Sequence, residues 1–512
     1  MMATAATTQS NQTTNASPAC GWPAEHEFGI ARNYIGGQWR DPAGQRLMDV
    51  MNPAIGRPIA QVVLSDGAET ERAVAAAQAA FPAWRATPPV ERARYLFQLK
   101  ALMEQRFEEL ARLITQDHGK TLDDARGEVR RAIENVEVAC GAPTLMMGYG
   151  LEDGAARYID EFVIRQPLGV FAAVCPFNFP LMVPFWFWPY AVGCGNTFIV
   201  KPSEQVPLGM TRIFELLEEI GLPPGVMNLV HGAREAVDAL LDEPYVQGIS
   251  FVGSSPVAQY IYERASKNGK RVQAQGGAKN CLVVMPDALP VLDAAVPNIL
   301  GSSFGAAGQR CLAGSVLLTV GEAHRPAMER LVASARSLKV GYGLEPGVEM
   351  GPVISSTAQQ RIKGAIDAGA HDGAALVLDG RDVSVPGYEE GYFVGPTIFE
   401  NVSPDMRLAQ DEIFGPVLSV SHVGSLEEAI ARINASPYGN AASIYTQSGK
   451  AAHDFRYQVV AGNIGVNIGV AAPMAYFPFA GMKGSFFGTL HGQGRDAVEF
   501  YTDKKVYIER WL

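Results

Sequence analysis

The chain has 512 residues, with 42 Lys and Arg against 53 Asp and Glu, a formal net charge of −11. Hydrophobic residues make up 47% and charged residues 19%, a globular composition rather than a disordered or fibrous one. An acidic chain lacks the basic face that nucleic acid or an anionic membrane requires, so small molecules are the expected partners, and the length accommodates about three units of ~150 residues.

Residues 1–20 (MMATAATTQSNQTTNASPAC) carry no charge and no apolar run, and predict a disordered leader rather than a secretory signal or mitochondrial presequence. The six cysteines, at 20, 140, 175, 194, 281 and 311, form no CxxC pair and no zinc-spaced cluster. That usage fits a reducing cytoplasm and gives no reason to expect a metal.

Residues 67–142 predict a run of helices. Leu99, Leu102, Met103, Phe107, Leu110, Leu113 and Ile114 follow a 3.6-residue period that Gly119 ends. Thr121 to Asp124 reads as an N-terminal cap, after which Leu122, Ala125, Val129, Ile133, Val136 and Cys140 form one apolar face. Arg131 falls opposite that face, where a solvated arginine is the ordinary expectation.

Between Gln166 and Val200 no residue is charged, and VPFWFWPYAVG looks membrane-like. Pro176, Pro180, Pro184 and Pro189 argue against a spanning helix, because each removes a backbone donor that lipid cannot replace. A buried strand, a shaped loop and a short packed helix are expected instead.

From about residue 163 the rhythm becomes one of alternating strands and helices. Apolar, β-rich runs at 170–175, 196–200, 226–230 and 249–252 bracket a helix from Pro207 to Ile220, and a second such stretch runs from near Asn280 to about 475. The alternation predicts an α/β protein with doubly wound parallel sheets. The nearest match to G-x-G-x-x-G, Gly492-Gln-Gly494-Arg-Asp-Ala497, has no strand before it and is discounted. Phe251-Val-Gly253-Ser254-Ser255 ends a strand and opens a helix, and reads either as a turn and cap or as a pyrophosphate site.

Three stretches can carry chemistry. Phe304 to Ala313 sets Cys311 among small residues where a substrate can approach, with Arg310 beside it to favour a thiolate. Cys175-Pro-Phe177-Asn178-Phe-Pro180 presents an amide on a Pro-braced loop, suited to an oxyanion hole or to a plain turn. Lys201-Pro-Ser-Glu204 ends a strand with a cation and a carboxylate, which can grip ribose hydroxyls or form a surface ion pair.

Taken together, CPFNFP, KPSE, FVGSS, GQRCLA and Glu412-Ile-Phe-Gly-Pro416 resemble the aldehyde dehydrogenase superfamily in order and approximate spacing over most of the chain. Within it, PFNFP, Gly277–Asn280 (GAKN), GQRC and Ile464–Asn467 (IGVN) look most like the CoA-acylating methylmalonate-semialdehyde dehydrogenases. The resemblance implies two doubly wound α/β domains and a β oligomerisation arm. Residues 21–141 and 163–278 would bind NAD, 279–481 would form the catalytic domain, and 142–162 with 482–512 would form the arm and tail of a homo-oligomer, dimer or tetramer.

By the same resemblance Cys311 attacks the aldehyde, and the Asn178 amide with the Cys311 backbone N–H holds the oxyanion. Lys201, Glu204 and Gln205 would bind the adenosine ribose, and Ser254 the pyrophosphate. Phe177, the Cys175 backbone and Gly276 would line the NAD cleft, and Glu412 would hold the nicotinamide ribose. Arg131 and Arg310 would grip a substrate carboxylate.

One position departs from the hydrolytic members. Where they carry a glutamate that activates water, this chain has Gln275, and an amide has no useful proton affinity at neutral pH. The expected deacylating nucleophile is therefore CoA, with malonate or methylmalonate semialdehyde giving acetyl-CoA or propionyl-CoA. The alternative is a hydrolytic NAD-dependent enzyme that releases a free acid from another small acidic, even sulfonated, aldehyde.

Overall fold

Each of the two alternating stretches closes into a sheet in the computed structural model, which describes residues 26–511. The expected leader, residues 1–20, lies outside the described residues. The first sheet has five adjacent parallel strands, in the order Arg271–Gln275, Val246–Val252, Val170–Val174, Thr197–Lys201 and Met227–Leu229. From Val170–Val174 the chain builds one way through residues 197–201 and then returns to build the other way through 246–252. Such a switch opens a crevice outside the carboxyl ends of the strands. Cys175 and Gly253 follow the two strands that flank it.

The second sheet has six parallel strands, in the order Thr397–Glu400, Val417–Val423, Gly314–Val320, Asn280–Val284, Ala441–Tyr445 and Asn463–Val466. Residues 276–279 carry the chain from the last parallel strand of the first sheet into the second. Both sheets are covered on both faces, which is why their strands read as continuous apolar runs rather than alternating ones.

Four helices precede the sheets: α1 (Gly67–Ala86), α2 (Pro89–Gln105), α3 (Phe107–His118) and α4 (Leu122–Cys140). The period expected as one run over 99–114 is split at Arg106, whose backbone (φ −102°, ψ 18°) leaves the helical region. The break lets α2 and α3 each pack against α4 while Leu99, Met103, Leu110 and Ile114 stay buried. Gly119 ends α3 in the left-handed conformation at φ +91°, and the Thr121 side chain accepts from the Asp124 N–H to cap α4.

The uncharged segment 166–200 forms a buried strand, a loop and the short buried helices Met182–Phe185 and Trp188–Cys194. Among the described residues no helix is long and apolar enough to cross a membrane. A separate antiparallel sheet joins Tyr149–Leu151, Ile159–Pro167 and Thr502–Arg510. Residues 159–167 pair along their whole length with 502–510, so this sheet continues past residue 162, where the arm was expected to end. Tyr149, Leu151, Val506 and Ile508 are exposed on it.

Candidate active site

The segment leading to Cys311 leaves the helix Leu292–Phe304 by an unusual path. Ala306 and Ala307 adopt left-handed backbone (φ +50° and +53°), which costs an alanine free energy and persists only where the surroundings hold it. Here the Ala306 N–H donates to Asp124 Oδ2 at 3.1 Å. Gly308 follows at φ +70°, and a Cβ there would fall 2.2 Å from the Gly415 carbonyl oxygen, so a glycine is required. Gln309 is buried, with its Oε1 accepting from the Ile354 N–H at 3.0 Å. Two amides then fix the Cys311 carbonyl: Asn280 Nδ2 at 2.7 Å and Asn440 Nδ2 at 2.8 Å both donate to Cys311 O.

Asn178 sits on the loop after Val170–Val174 and is buried. Its Nδ2 donates to the Gln309 carbonyl at 3.1 Å, which ties the amide to the segment two residues before Cys311. That bond uses one of the two N–H groups of the amide. Phe177 beside it stacks on the buried His118 ring at 6.0 Å and meets Phe414 edge-on at 5.8 Å, joining the loop to α3 and to the 412–416 motif.

A cavity of about 250 Å³ opens on Cys311, walled by Arg310, Arg131, Trp186, Phe479 and Val470. Its wall includes a polar stripe of α4, namely Asp124, Glu128, Arg131 and Asn135, at helical spacing on the face opposite the apolar one. Arg131 keeps the solvent exposure expected of its helix position, with its side chain 37% exposed, and it also borders the cavity while pairing with Glu134 at 3.0 Å. Arg310 reaches Asp124 through one terminal nitrogen and the Gly301 carbonyl through the other, at 3.1 Å for the latter, and its buried Nε has no hydrogen-bond partner.

One expectation is corrected. Arg310 does not hold Cys311 as a thiolate in the resting protein. Burial, reinforced by the charge of Glu412, pushes the thiol up to about 12, and the pull of Arg310 is the weakest of the opposing effects. The guanidinium is turned toward Asp124, which spends much of its charge elsewhere.

Between the two sheets, residues 277–279 are bonded to Ser255, Glu412 and Asp411. The Gly277 N–H donates to Ser255 Oγ at 2.8 Å, the Ala278 N–H to Glu412 Oε1 at 2.9 Å, and Lys279 Nζ to the Asp411 carbonyl at 2.7 Å. A Cβ at Gly276 would lie 2.7 Å from Ser255 Oγ, and one at Gly277 would lie 2.5 Å from Glu412 Oε2, so neither position admits a side chain. Burial raises the Glu412 carboxyl to about 7 and lowers the Lys279 ammonium to about 8.

Further along, Lys201 is buried and pairs with Glu204 at 3.0 Å, and its carbonyl accepts from the Cys175 N–H at 2.9 Å. This is a half-buried pair at the carboxyl end of the strand 197–201 rather than the surface pair that pattern alone allowed. The Gln205 N–H donates to Ser203 Oγ at 3.3 Å, holding that turn next to Glu204. Ser254 occupies the N-cap of the helix Ser255–Lys267 without a side-chain capping bond. Gln275 has its Nε2 3.5 Å from the Phe479 carbonyl, and its buried Oε1 has no partner.

The structure also brings in residues that the motifs did not single out. Lys120, Asp124 and Asn440 each bond a site residue or its backbone, and Glu128 bonds Lys120. A signal for two of them was present, since Asp124 and Glu128 share the i, i+4, i+7, i+11 stripe with Arg131 and Asn135.

A fold of two facing α/β units, a half-buried cysteine between them and an amide loop at its side define a class. Residues 39–507 match the aldehyde dehydrogenase family model, and the chain belongs to that family. It is an enzyme of this family, and the relatives it resembles include malonate- and methylmalonate-semialdehyde dehydrogenases. Malonate-semialdehyde dehydrogenase 1 of Geobacillus thermodenitrificans is 51% identical over 481 residues, covering 94% of this chain and 98% of that protein. The crystal structure of methylmalonate-semialdehyde dehydrogenase from Oceanimonas doudoroffii superposes with a TM-score of 0.92 at 46% identity, over 94% of this chain and 98% of that one. A putative methylmalonate-semialdehyde dehydrogenase from Sinorhizobium meliloti, solved with NAD, gives the same TM-score at 42% identity and the same coverage.

Proposed function

We propose that the enzyme oxidises malonate or methylmalonate semialdehyde with NAD, through a thioester on Cys311, and transfers the decarboxylated acyl group to CoA. The observation that carries this reading is that one cavity holds Cys311 together with two arginines, Arg131 and Arg310, and that Arg310 Nε is buried without a partner. Two guanidinium groups bordering one cavity suit a carboxylate, the anion that their planar fork of N–H donors matches best.

The residues of the cleft fit NAD. Lys201 and Glu204 suit the hydroxyls of an adenosine ribose, and a carboxylate there disfavours a 2′-phosphate. Gln205 lies alongside, and the amides at the start of the helix capped by Ser254 suit a pyrophosphate. Phe177, the Cys175 main chain and Gly276 would line the dinucleotide, and Glu412 would hold the second ribose. When bound, NAD supplies the hydride acceptor.

The chain's own residues do the rest. Cys311, once deprotonated, adds to the aldehyde carbon, and the new oxyanion is met by the second Asn178 N–H and the Cys311 N–H. Loss of hydride leaves a thioester. With Arg131 and Arg310 holding the β-carboxylate, the bond to it breaks heterolytically. Carbon dioxide leaves, the electron pair delocalises into the thioester carbonyl, and the α-carbon then takes a proton. The thiolate of CoA attacks the acyl carbon and Cys311 departs as thiolate, giving acetyl-CoA or propionyl-CoA. Gln275 cannot activate water, which leaves the thioester for the thiol.

Exposed apolar side chains on the sheet of residues 149–151, 159–167 and 502–510 support a contact between copies, in a dimer or tetramer. The described cysteines are all free thiols, in keeping with a cytoplasmic setting.

Stopped-flow NADH absorbance with malonate semialdehyde tests the reading. A burst of about one NADH per site, turning to steady formation only when CoA is added, is the expected result. Steady formation without CoA would establish the hydrolytic alternative, and absence of a burst would remove the carboxylated substrate.

A further inference from the structure

Lys120 and Glu128 form an ion pair at 2.7 Å with both side chains fully buried. Such a pair is poor value as a source of stability, since desolvation offsets most of the attraction and apolar replacements often serve as well. Its bonds are directed elsewhere. Lys120 Nζ donates to the Asn178 carbonyl at 2.7 Å and lies 4.1 Å from the centre of the Phe179 ring. Glu128 Oε1 accepts from the Leu181 N–H at 2.8 Å and the Met182 N–H at 3.1 Å. The pair therefore engages residues 178, 179, 181 and 182, on a loop with no sheet or long helix of its own to fix it.

Lys120 is itself anchored. It follows Gly119 at the left-handed end of α3, its N–H donates to His118 Nδ1 at 3.2 Å, and Thr121 caps α4 immediately after it. Asn178 is thus held at two points: the main chain by Lys120, and the side-chain amide by the Gln309 carbonyl.

We infer that Lys120 and Glu128 are a positioning pair that sets the Asn178 amide against the nucleophile segment. The inference rests on the oxyanion role given to Asn178 above. An error of about 1 Å in such a donor is enough to lose most of its effect on the rate, while substrate binding, made by other groups, is spared.

The test is a mutant cycle on the full-length enzyme, with the NADH burst rate constant as readout. Lys120→Met/Glu128→Gln removes both charges and keeps an acceptor for the 181 and 182 amides. It is expected to slow the burst ~10–100-fold, with the aldehyde KM changed less than ~3-fold and NAD affinity unchanged, and Asn178→Ala is expected to slow it ~10²–10³-fold. In the Asn178→Ala background the Lys120/Glu128 change should cost no more than about 2-fold.

An equal loss in both backgrounds would mean a general structural effect and would overturn the positioning role, as would no loss in the parent. If Asn178→Ala leaves the burst rate unaltered, the oxyanion reading of Asn178 fails, and the positioning inference falls with it. Glu128→Gln alone keeps the acceptor geometry and covers the case in which the double variant does not fold. It should lose ~3–10-fold in the parent and nothing in the Asn178→Ala background, and additive losses would overturn the inference in the same way.

Discussion

Gln275→Glu converts the missing base into a present one, and its consequence can be worked from the site. Gln275 Nε2 lies 3.5 Å from the Phe479 carbonyl oxygen, and Oε1 is buried with no donor facing it. A glutamate of the same shape would set one carboxylate oxygen against a carbonyl dipole and leave the other without a hydrogen bond. Both effects disfavour the ionised form, so the carboxyl is raised above its ordinary range. Burial thus moves the carboxyl from its ordinary range toward neutrality, the direction that suits a general base, and such a base contributes ~10²–10⁴-fold.

Because nothing in the site has been adapted to place the water, the lower end applies. The steady, CoA-independent rate should rise ~10²-fold over the parent. The assay follows NADH absorbance without CoA, so that burst amplitude reports acylation of Cys311 and the later slope reports hydrolysis. A burst of parental amplitude followed by a slope within about 2-fold of the parent would refute the argument, since deacylation would then not be limited by the absent base.

Two further predictions concern the cavity. Arg310→Leu removes the unpartnered Nε and one cation beside Cys311, and should lower kcat/KM for malonate semialdehyde ~10–100-fold while changing propanal less than ~3-fold. Equal losses on the two aldehydes would mean that Arg310 does not read the carboxylate. The Cys311 thiol, pushed up to about 12 by burial, is protonated at neutral pH, and each unit of rising pH multiplies its thiolate fraction tenfold. Inactivation of the free enzyme by iodoacetamide should therefore climb log-linearly from about pH 7 to about pH 10, and a plateau below about pH 9 would contradict a thiol raised by burial. Cys311→Ala should abolish both the alkylation and NADH formation.

Much of this molecule was legible without coordinates. The alternating runs between 170 and 466 announced parallel sheets, because a strand covered on both faces must be apolar throughout and this is visible within five or six residues. Gly119 and Thr121 marked the end of one helix and the start of the next by rules that operate over three residues. The conspicuous reactive positions, Cys311, Asn178, Lys201, Glu204 and Glu412, stood out because their neighbours in sequence are unusual.

What stayed hidden involved contacts between distant segments. The helical period across 99–114 gave no sign of the break at Arg106, since splitting the helix preserves the same buried positions while changing which neighbour each half meets. Arg131 shows a related limit: periodicity separates the core side of α4 from the exposed side, but that the exposed side also borders a cavity depends on Cys311 and Phe479 arriving from elsewhere in the chain.

The amino-acid sequence by itself determined the sheets, the caps and the chemical kinds of group available, because those follow from local sterics, burial patterns and side-chain identity. Only the tertiary structure decided how the groups are paired. Asn178 with Gln309, Lys120 with Asn178, Arg310 with Asp124 and Asn440 with Cys311 are 131, 58, 186 and 129 residues apart, and each bond forms only where the packed sheets and helices bring its two ends within about 3 Å. The same packing withdraws water from Cys311 and Glu412 and so sets their proton affinities, which no reading of neighbouring residues can supply.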